Sequence, residues 1–154
     1  MSITKILSRG ISTLPAGSVL QVVQATHSTE VSTSTGAEID TGLSATITPQ
    51  FTSSKILVLF TQADFAKIDV VGPIVVYLYR GASNIYSVAY NLLYQSTTSS
   101  RFAVNCSGSF LDSPSSTSAV TYKTRFSSSS GATTRVQLGN STSTMQLLEI
   151  VGWL

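Results

Sequence analysis

Apolar and polar residues alternate along most of this chain. Leu43, Ala45 and Ile47 fall on one side of a pleat, with Ser44, Thr46 and Thr48 on the other. The same period sets Phe102, Val104 and Cys106 against Arg101, Ala103 and Asn105, and Val120, Tyr122, Thr124 and Phe126 against Thr121, Lys123 and Arg125. A period of two turns one set of side chains to a core and the other to water, so each run predicts a half-buried strand. No stretch holds apolar residues at i, i+3, i+4 and i+7 over the length of a helix. Turn formers divide the remainder, and strands are predicted over 18–26, 29–35, 43–48, 55–62, 73–80, 85–94, 101–111, 118–127, 133–139 and 143–152. Ten short antiparallel strands with turns between them predict an all-β sandwich of jelly-roll type over residues 18–154. Residues 1–17 carry Ile3, Ile6, Leu7, Ile11 and Leu14 without a clean period and read as an extended N-terminal arm.

Three strands depart from alternation. Lys55–Phe60 (KILVLF), Ile74–Tyr79 (IVVYLY) and Met145–Val151 (MQLLEIV) are apolar on both faces, so each needs cover on two sides. One side is the domain core. The simplest cover for the other is an identical subunit, which makes Leu57, Leu59, Val75, Tyr77, Tyr79, Leu148 and Ile150 candidate interface residues. A curled sheet whose rim is covered by its own loops, residues 1–17 among them, is the competing arrangement.

Composition narrows the chemistry. Ser and Thr supply 27 and 20 of the 154 residues, whereas Asp, Glu, Lys and Arg together make 10%. The surface is therefore wetted by hydroxyls more than by charges, and 42% hydrophobic content keeps the chain away from the disordered class. The formal net charge is +2, and the nine basic residues are scattered without forming a stripe that would neutralise a phosphate backbone, so nucleic acid is not an expected partner. No 18-residue apolar stretch predicts membrane insertion, and the N-terminus lacks the apolar run of a signal peptide. One cysteine, Cys106, excludes an intramolecular disulfide and a multi-cysteine metal site.

Catalysis needs converging groups of matched pKa, and this chain offers one His, one Cys, four Asp and three Glu. His27 sits in a polar turn between strands and reads as a solvated loop histidine. Cys106 lies on the inward side of its strand and reads as a small buried hydrophobe. Glu30, Glu38 and Asp40, or Asp64 and Asp69, do not match a calcium-loop spacing. No nucleophile elbow and no phosphate-binding glycine loop occurs. No catalytic residue, cofactor or metal site is expected. Tyrosine is the exception to this bland inventory. Tyr86, Tyr90 and Tyr94, with Asn91, are spaced to suit either a glycan face, rings stacking on sugars, or packing within the sandwich, and the sequence does not choose between them.

The ordered run Pro15-Ala16-Gly17-Ser18-Val19-Leu20-Gln21-Val22-Val23, Asp40-Thr41-Gly42-Leu43, Ser53-Ser54-Lys55-Ile56-Leu57-Val58, Leu78-Tyr79-Arg80-Gly81, Phe110-Leu111-Asp112-Ser113-Pro114, Thr121-Tyr122-Lys123-Thr124 and Ser143-Thr144-Met145-Gln146-Leu147-Leu148-Glu149-Ile150 resembles a family of bacteriophage virion proteins of marine and cyanobacterial phages. The resemblance covers residues 15–152. Ile3-Thr4-Lys5-Ile6-Leu7-Ser8 is also similar to one unit of the short repeats of phage fibre shafts. What the resemblance implies is a homotrimeric β knob, similar to the tumour-necrosis-factor and complement-C1q heads, on the virion surface. It would be a capsid decoration or fibre component held to other virion proteins through residues 1–17, with Ile3, Ile6, Leu7, Ile11 and Leu14 as the docking side chains. A lectin-like module binding host surface glycan through Tyr86, Tyr90, Asn91 and Tyr94 is the alternative. A glycan depolymerase is disfavoured because the seven acids show no paired placement.

Overall fold

The computed structural model describes residues 14–68, 72–93, 102–128 and 133–152. Ten strands run along it in chain order: β1 Val19–His27, β2 Val31–Thr33, β3 Ile39–Ile47, β4 Lys55–Ile68, β5 Ile74–Arg80, β6 Ser83–Ala89, β7 Phe102–Asp112, β8 Val120–Ser128, β9 Thr133–Val136 and β10 Ser143–Ile150. One sheet has the order β1-β10-β4-β9-β2 with β7 also paired to β4; the other has the order β3-β8-β5-β6. All pairings are antiparallel. The fold is an all-β sandwich, as the alternation predicts.

The winding follows from which strands pair. With the short β2 and β9 set aside, the outermost strands β1 and β10 pair, then β3 with β8, β4 with β7, and β5 with β6. The chain is thus one long antiparallel ribbon closed at the β5–β6 hairpin, and successive pairs of the ribbon fall alternately in the two sheets. That is the order of a jelly roll.

β2, β6 and β9 are shorter than predicted and β3 and β4 longer; both long strands carry a register shift, and in β4 the one extra residue breaks the period of two while β3 keeps its alternation. β3 starts at Ile39, with its register shifted between Asp40 and Ser44 and Gly42 at φ +89° inside the shift. β4 runs on to Ile68 past a shift between Gln62 and Phe65, where Asp64 takes φ +44°. Phe102 was expected inward but is 53% exposed at the start of β7, opposite Lys67.

The inward side chains form two apolar clusters. Leu43, Ala45, Ile47, Ile56, Val58, Phe60, Leu78, Tyr122, Met145 and Leu147 build the larger; Phe65, Ile74, Val76, Cys106, Phe126 and Val136 build the smaller, with Phe65 and Phe126 edge to face at 5.7 Å. At the step between them β3, β4, β8 and β10 each place a polar residue inward, and these residues bond one another. Thr124 Oγ1 donates to Gln62 Oε1 at 2.8 Å, Thr41 and Thr124 hydroxyls lie 2.6 Å apart, and Gln62 Nε2 donates to Ser143 Oγ at 2.6 Å. A buried amide left without partners costs about 1–3 kcal/mol, so this layer holds only as a set and thereby fixes how the two sheets register.

His27 is not a loop residue. It ends β1, and its ring occupies the place where a Cβ on Gly42 would sit, so glycine is required there on grounds of space as well as φ. The last residues of the arm are stitched to the far end of β10: Gly17 N–H donates to Val151 O at 3.0 Å and Val151 N–H to Ser18 O at 2.9 Å. Leu14 is 45% exposed, and Ile3, Ile6, Leu7 and Ile11 lie outside the described residues, as does Trp153.

Candidate functional site

Six of the seven carboxylates are spent on holding strands and loops together. Asp112, at the end of β7, accepts from Arg80 Nη1 at 3.0 and 2.9 Å and from the buried Tyr122 hydroxyl at 2.6 Å, tying one sheet to the other. Burial, and then Asp112, raise the Tyr122 phenol well above its ordinary pKa, which keeps it a donor. Glu30 pairs with Arg135 at 2.9 Å, and Asp64 accepts from the Ser141 hydroxyl. Glu149 is fully buried and accepts from Gln50 N–H at 2.7 Å, Ser54 Oγ at 2.6 Å and Gln21 Nε2 at 2.6 Å. Asp69, the seventh, lies outside the described residues. No group of three or more His, Cys, Asp or Glu side chains among the described residues is placed to hold a metal ion. Cys106 is 4% exposed, and burial pushes its thiol up to about 11, which removes the thiolate a nucleophile needs.

Glu38 and Asp40 complete the set on the outward face of the β3-β8-β5-β6 sheet. Arg125 Nε lies 2.9 Å from Asp40, Lys123 Nζ 2.9 Å from the other oxygen of Asp40, and the Arg125 guanidinium covers the Tyr79 ring at 4.9 Å. Tyr79 donates its hydroxyl to Glu38, and that bond, with burial, raises its pKa. Beside this network the β3 bulge opens a cleft of about 120 Å³ lined by Asp40, Gly42, Leu43, Ser44, Thr121 and Lys123. Three interface candidates fall on this face. Val75 and Tyr79 are already covered within one copy, at 7% and 9% exposure, and Tyr77 is half-buried beside Arg125.

The other four candidates face outward from the opposite sheet. Strand register places Val22, Leu148, Leu57 and Leu111 directly side by side across β1, β10, β4 and β7. Val22 is 59% exposed and Leu111 55%, with Leu57 and Leu148 half-buried between them. The next row is Gln24, Gln146, Leu59 and Ser109, and the one after it Thr26, Thr144, Thr61 and Ser107. On the other side of the apolar row, Val19 and Ile150 are paired and lead to Lys55, which donates to Ser113 Oγ at 2.7 Å. Sequence reasoning named Leu57, Leu59, Leu148 and Ile150 but not Val22 or Leu111, whose parity alone showed which way they point.

The tyrosines separate. Tyr86 stacks on Phe110 with centroids 5.3 Å apart and rings at 20°, closing the corner between β6 and β7. Tyr90 is 66% exposed and stands with exposed Asn91 in the bend after β6, which is tethered by Leu92 N–H to Ile74 O at 3.1 Å. Tyr94 lies outside the described residues.

No protein-family profile matches the chain, and no curated protein does. Solved structures with similarity include chains from infectious bursal disease virus. A chain of the Gt strain structure shares 14% identity at a TM-score of 0.40, covering 88% of this chain and 39% of that one. A chain of the T=1 particles derived from the virus shares 14% at 0.39, covering 99% and 41%. This chain spans about two fifths of the length of those chains.

Proposed function

We propose that this chain is a non-enzymatic structural component of a bacteriophage virion. It forms a short homotrimeric surface knob, held to capsid or tail proteins through residues 1–17. The observation that carries the structural part is where the ionisable groups point. Each described carboxylate is consumed by a strand, loop or sheet-to-sheet bond, so the chemistry of the chain goes into its own architecture. The virion assignment rests on the ordered motifs between Pro15 and Ile150. A charge-poor, hydroxyl-rich exterior suits a particle that meets large changes in salt, because few exposed ion pairs are there to be screened.

Light scattering after gel filtration tests the assembly, on the full chain and on a chain beginning at Ala16. A mass near three times 16.3 kDa for both supports a sandwich-borne trimer with the arm free to dock. A single-chain mass for both overturns it. Antibody labelling of purified phage particles tests the location.

The exposure of Tyr90 beside Asn91 favours one second reading, a lectin-like module for host surface glycan. Binding on a glycan array that Tyr90→Ala abolishes supports it, and an array and host cells left unbound refute it.

A further inference from the structure

We infer that copies of this chain meet through the outward face of β1, β10, β4 and β7, with the Val22-Leu148-Leu57-Leu111 row at the centre of the seam. The inference rests on the self-association reading above and names the surface that performs it.

The first ground is charge. Around the axis of a symmetric trimer a surface lies next to its own copies, so like charges near the axis repel and a neutral surface does not. Among the described residues of the four rows from Val19 to Thr26, Lys55 is the one charge. It lies at the edge, already bonded to Ser113. The outward face of the other sheet is different. Glu38, Asp40, Lys123 and Arg125 crowd it, satisfied by one another within one copy, and its large side chains Val75 and Tyr79 are already covered. Of these two faces, among the described residues, this one alone combines apolar exposure with neutrality.

The second ground is area. Four strands about 4.8 Å apart, along the eight residues of β10 at about 3.3 Å each, give a face of roughly 500 Å² per copy, so three copies bury about 1,500 Å² in all. That total matches the area of one standard interface. The third ground is the order of the rows. An apolar row gives way to amides and then to the hydroxyls of Thr26, Thr144, Thr61 and Ser107, a dry centre with a wet rim on one side, the anatomy of a protein interface.

The test uses the full chain. Gln146→Cys puts a thiol in the second row, and Ser44→Cys puts one on the exposed opposite face; buried Cys106 stays silent in both. In the assembled protein, Cys at 146 is expected to react with a bulky maleimide at least ~10-fold more slowly than Cys at 44, and Leu148→Lys, which places a charge at the seam, is expected to reduce the scattering mass to one chain and restore the fast reaction. If the protein is trimeric and both thiols react alike, the seam lies elsewhere and this inference is overturned while the assembly stands. If the unmodified chain has the mass of one copy, both fall. The labelling comparison decides the matter even if Leu148→Lys does not fold.

Discussion

Glu149 is the side chain whose loss the fold should feel in a pH-dependent way. It projects into the sandwich from β10 and gathers the loop between β3 and β4, receiving the Gln50 N–H and the Ser54 hydroxyl on Oε1 and the Gln21 amide on Oε2. Burial on its own would raise its pKa; the hydrogen bonds from Ser54, Gln21, Gln50 and Phe51 together outweigh burial and hold the carboxyl below its ordinary value. Glu149→Gln keeps the shape and the Oε1 acceptor but turns an N–H₂ toward the Gln21 amide. Gln21 can flip only by giving up its 2.8 Å bond to Thr48 O. One charge-assisted bond is lost and the others weaken, for a cost of about 2 kcal/mol, or a fall in Tm of about 4–8 °C in a chain of this size. A depressed folded-state pKa contributes stability that is present above the unfolded value near 4.3 and is lost as pH falls through the folded value. The difference between wild type and variant should therefore be full at pH 7 and shrink below about pH 4. Calorimetry at one protein concentration, from pH 7 to pH 3.5, reads both quantities. A variant within 1 °C of wild type at pH 7, or a gap that does not narrow in acid, refutes the reasoning.

Gly42→Ala should cost about 2–3 kcal/mol in urea unfolding, part from φ +89° and part from the His27 ring; adding His27→Ala should return the steric part alone, which a double-mutant cycle separates. Tyr122→Phe should cost about 1–2 kcal/mol, because Asp112 keeps Arg80 but loses its buried hydroxyl donor, and an unchanged unfolding midpoint would contradict that bond. Cys106 should react with an aromatic disulfide at pH 8 at least ~100-fold more slowly in the folded protein than in guanidinium, from its raised pKa together with burial; equal rates would place it at the surface.

The sandwich was legible wherever one strand decides its own fate. Leu43, Ala45 and Ile47 alternate cleanly and are 1%, 5% and 2% exposed. A bulge defeats that logic in β4, where one extra residue at Asp64 shifts parity through a backbone dihedral that composition does not encode; β3 keeps its parity through Gly42, and its start was hidden because the inward residue there, Thr41, is polar. Glu149 was hidden by its chemistry: within MQLLEIV a carboxylate suggests water, while its parity with Met145 and Leu147 points it inward. That parity was the available signal. The apolar row was half legible. Leu57 and Leu148 stand out in doubly apolar runs, but Val22 and Leu111 join them only through pairings that span more than thirty residues, and register between distant strands is a property of the assembled sheets. His27 is a case of the same kind, since its partner Gly42 belongs to the opposite sheet.

The ribbon winding links the two halves of the proposed role. Because the first and last strands pair, the segment leading in from Leu14 and the end of β10 emerge together, at the far end of the ribbon from the β5–β6 hairpin. The seam row begins on that same β1–β10 pair: Val22 lies four residues beyond Ser18, about 13 Å along the strand. Three copies joined through this face would therefore send three N-terminal segments toward the particle from around one axis. Once one segment is bound, the other two are held at high local concentration near their own sites, so modest contacts by Ile3, Ile6, Leu7 and Ile11 multiply into firm attachment. On this account the arm and the seam depend on each other: a charge in the Leu148 row would weaken attachment to the particle without touching a docking residue, and by far more than it weakens the binding of a single arm.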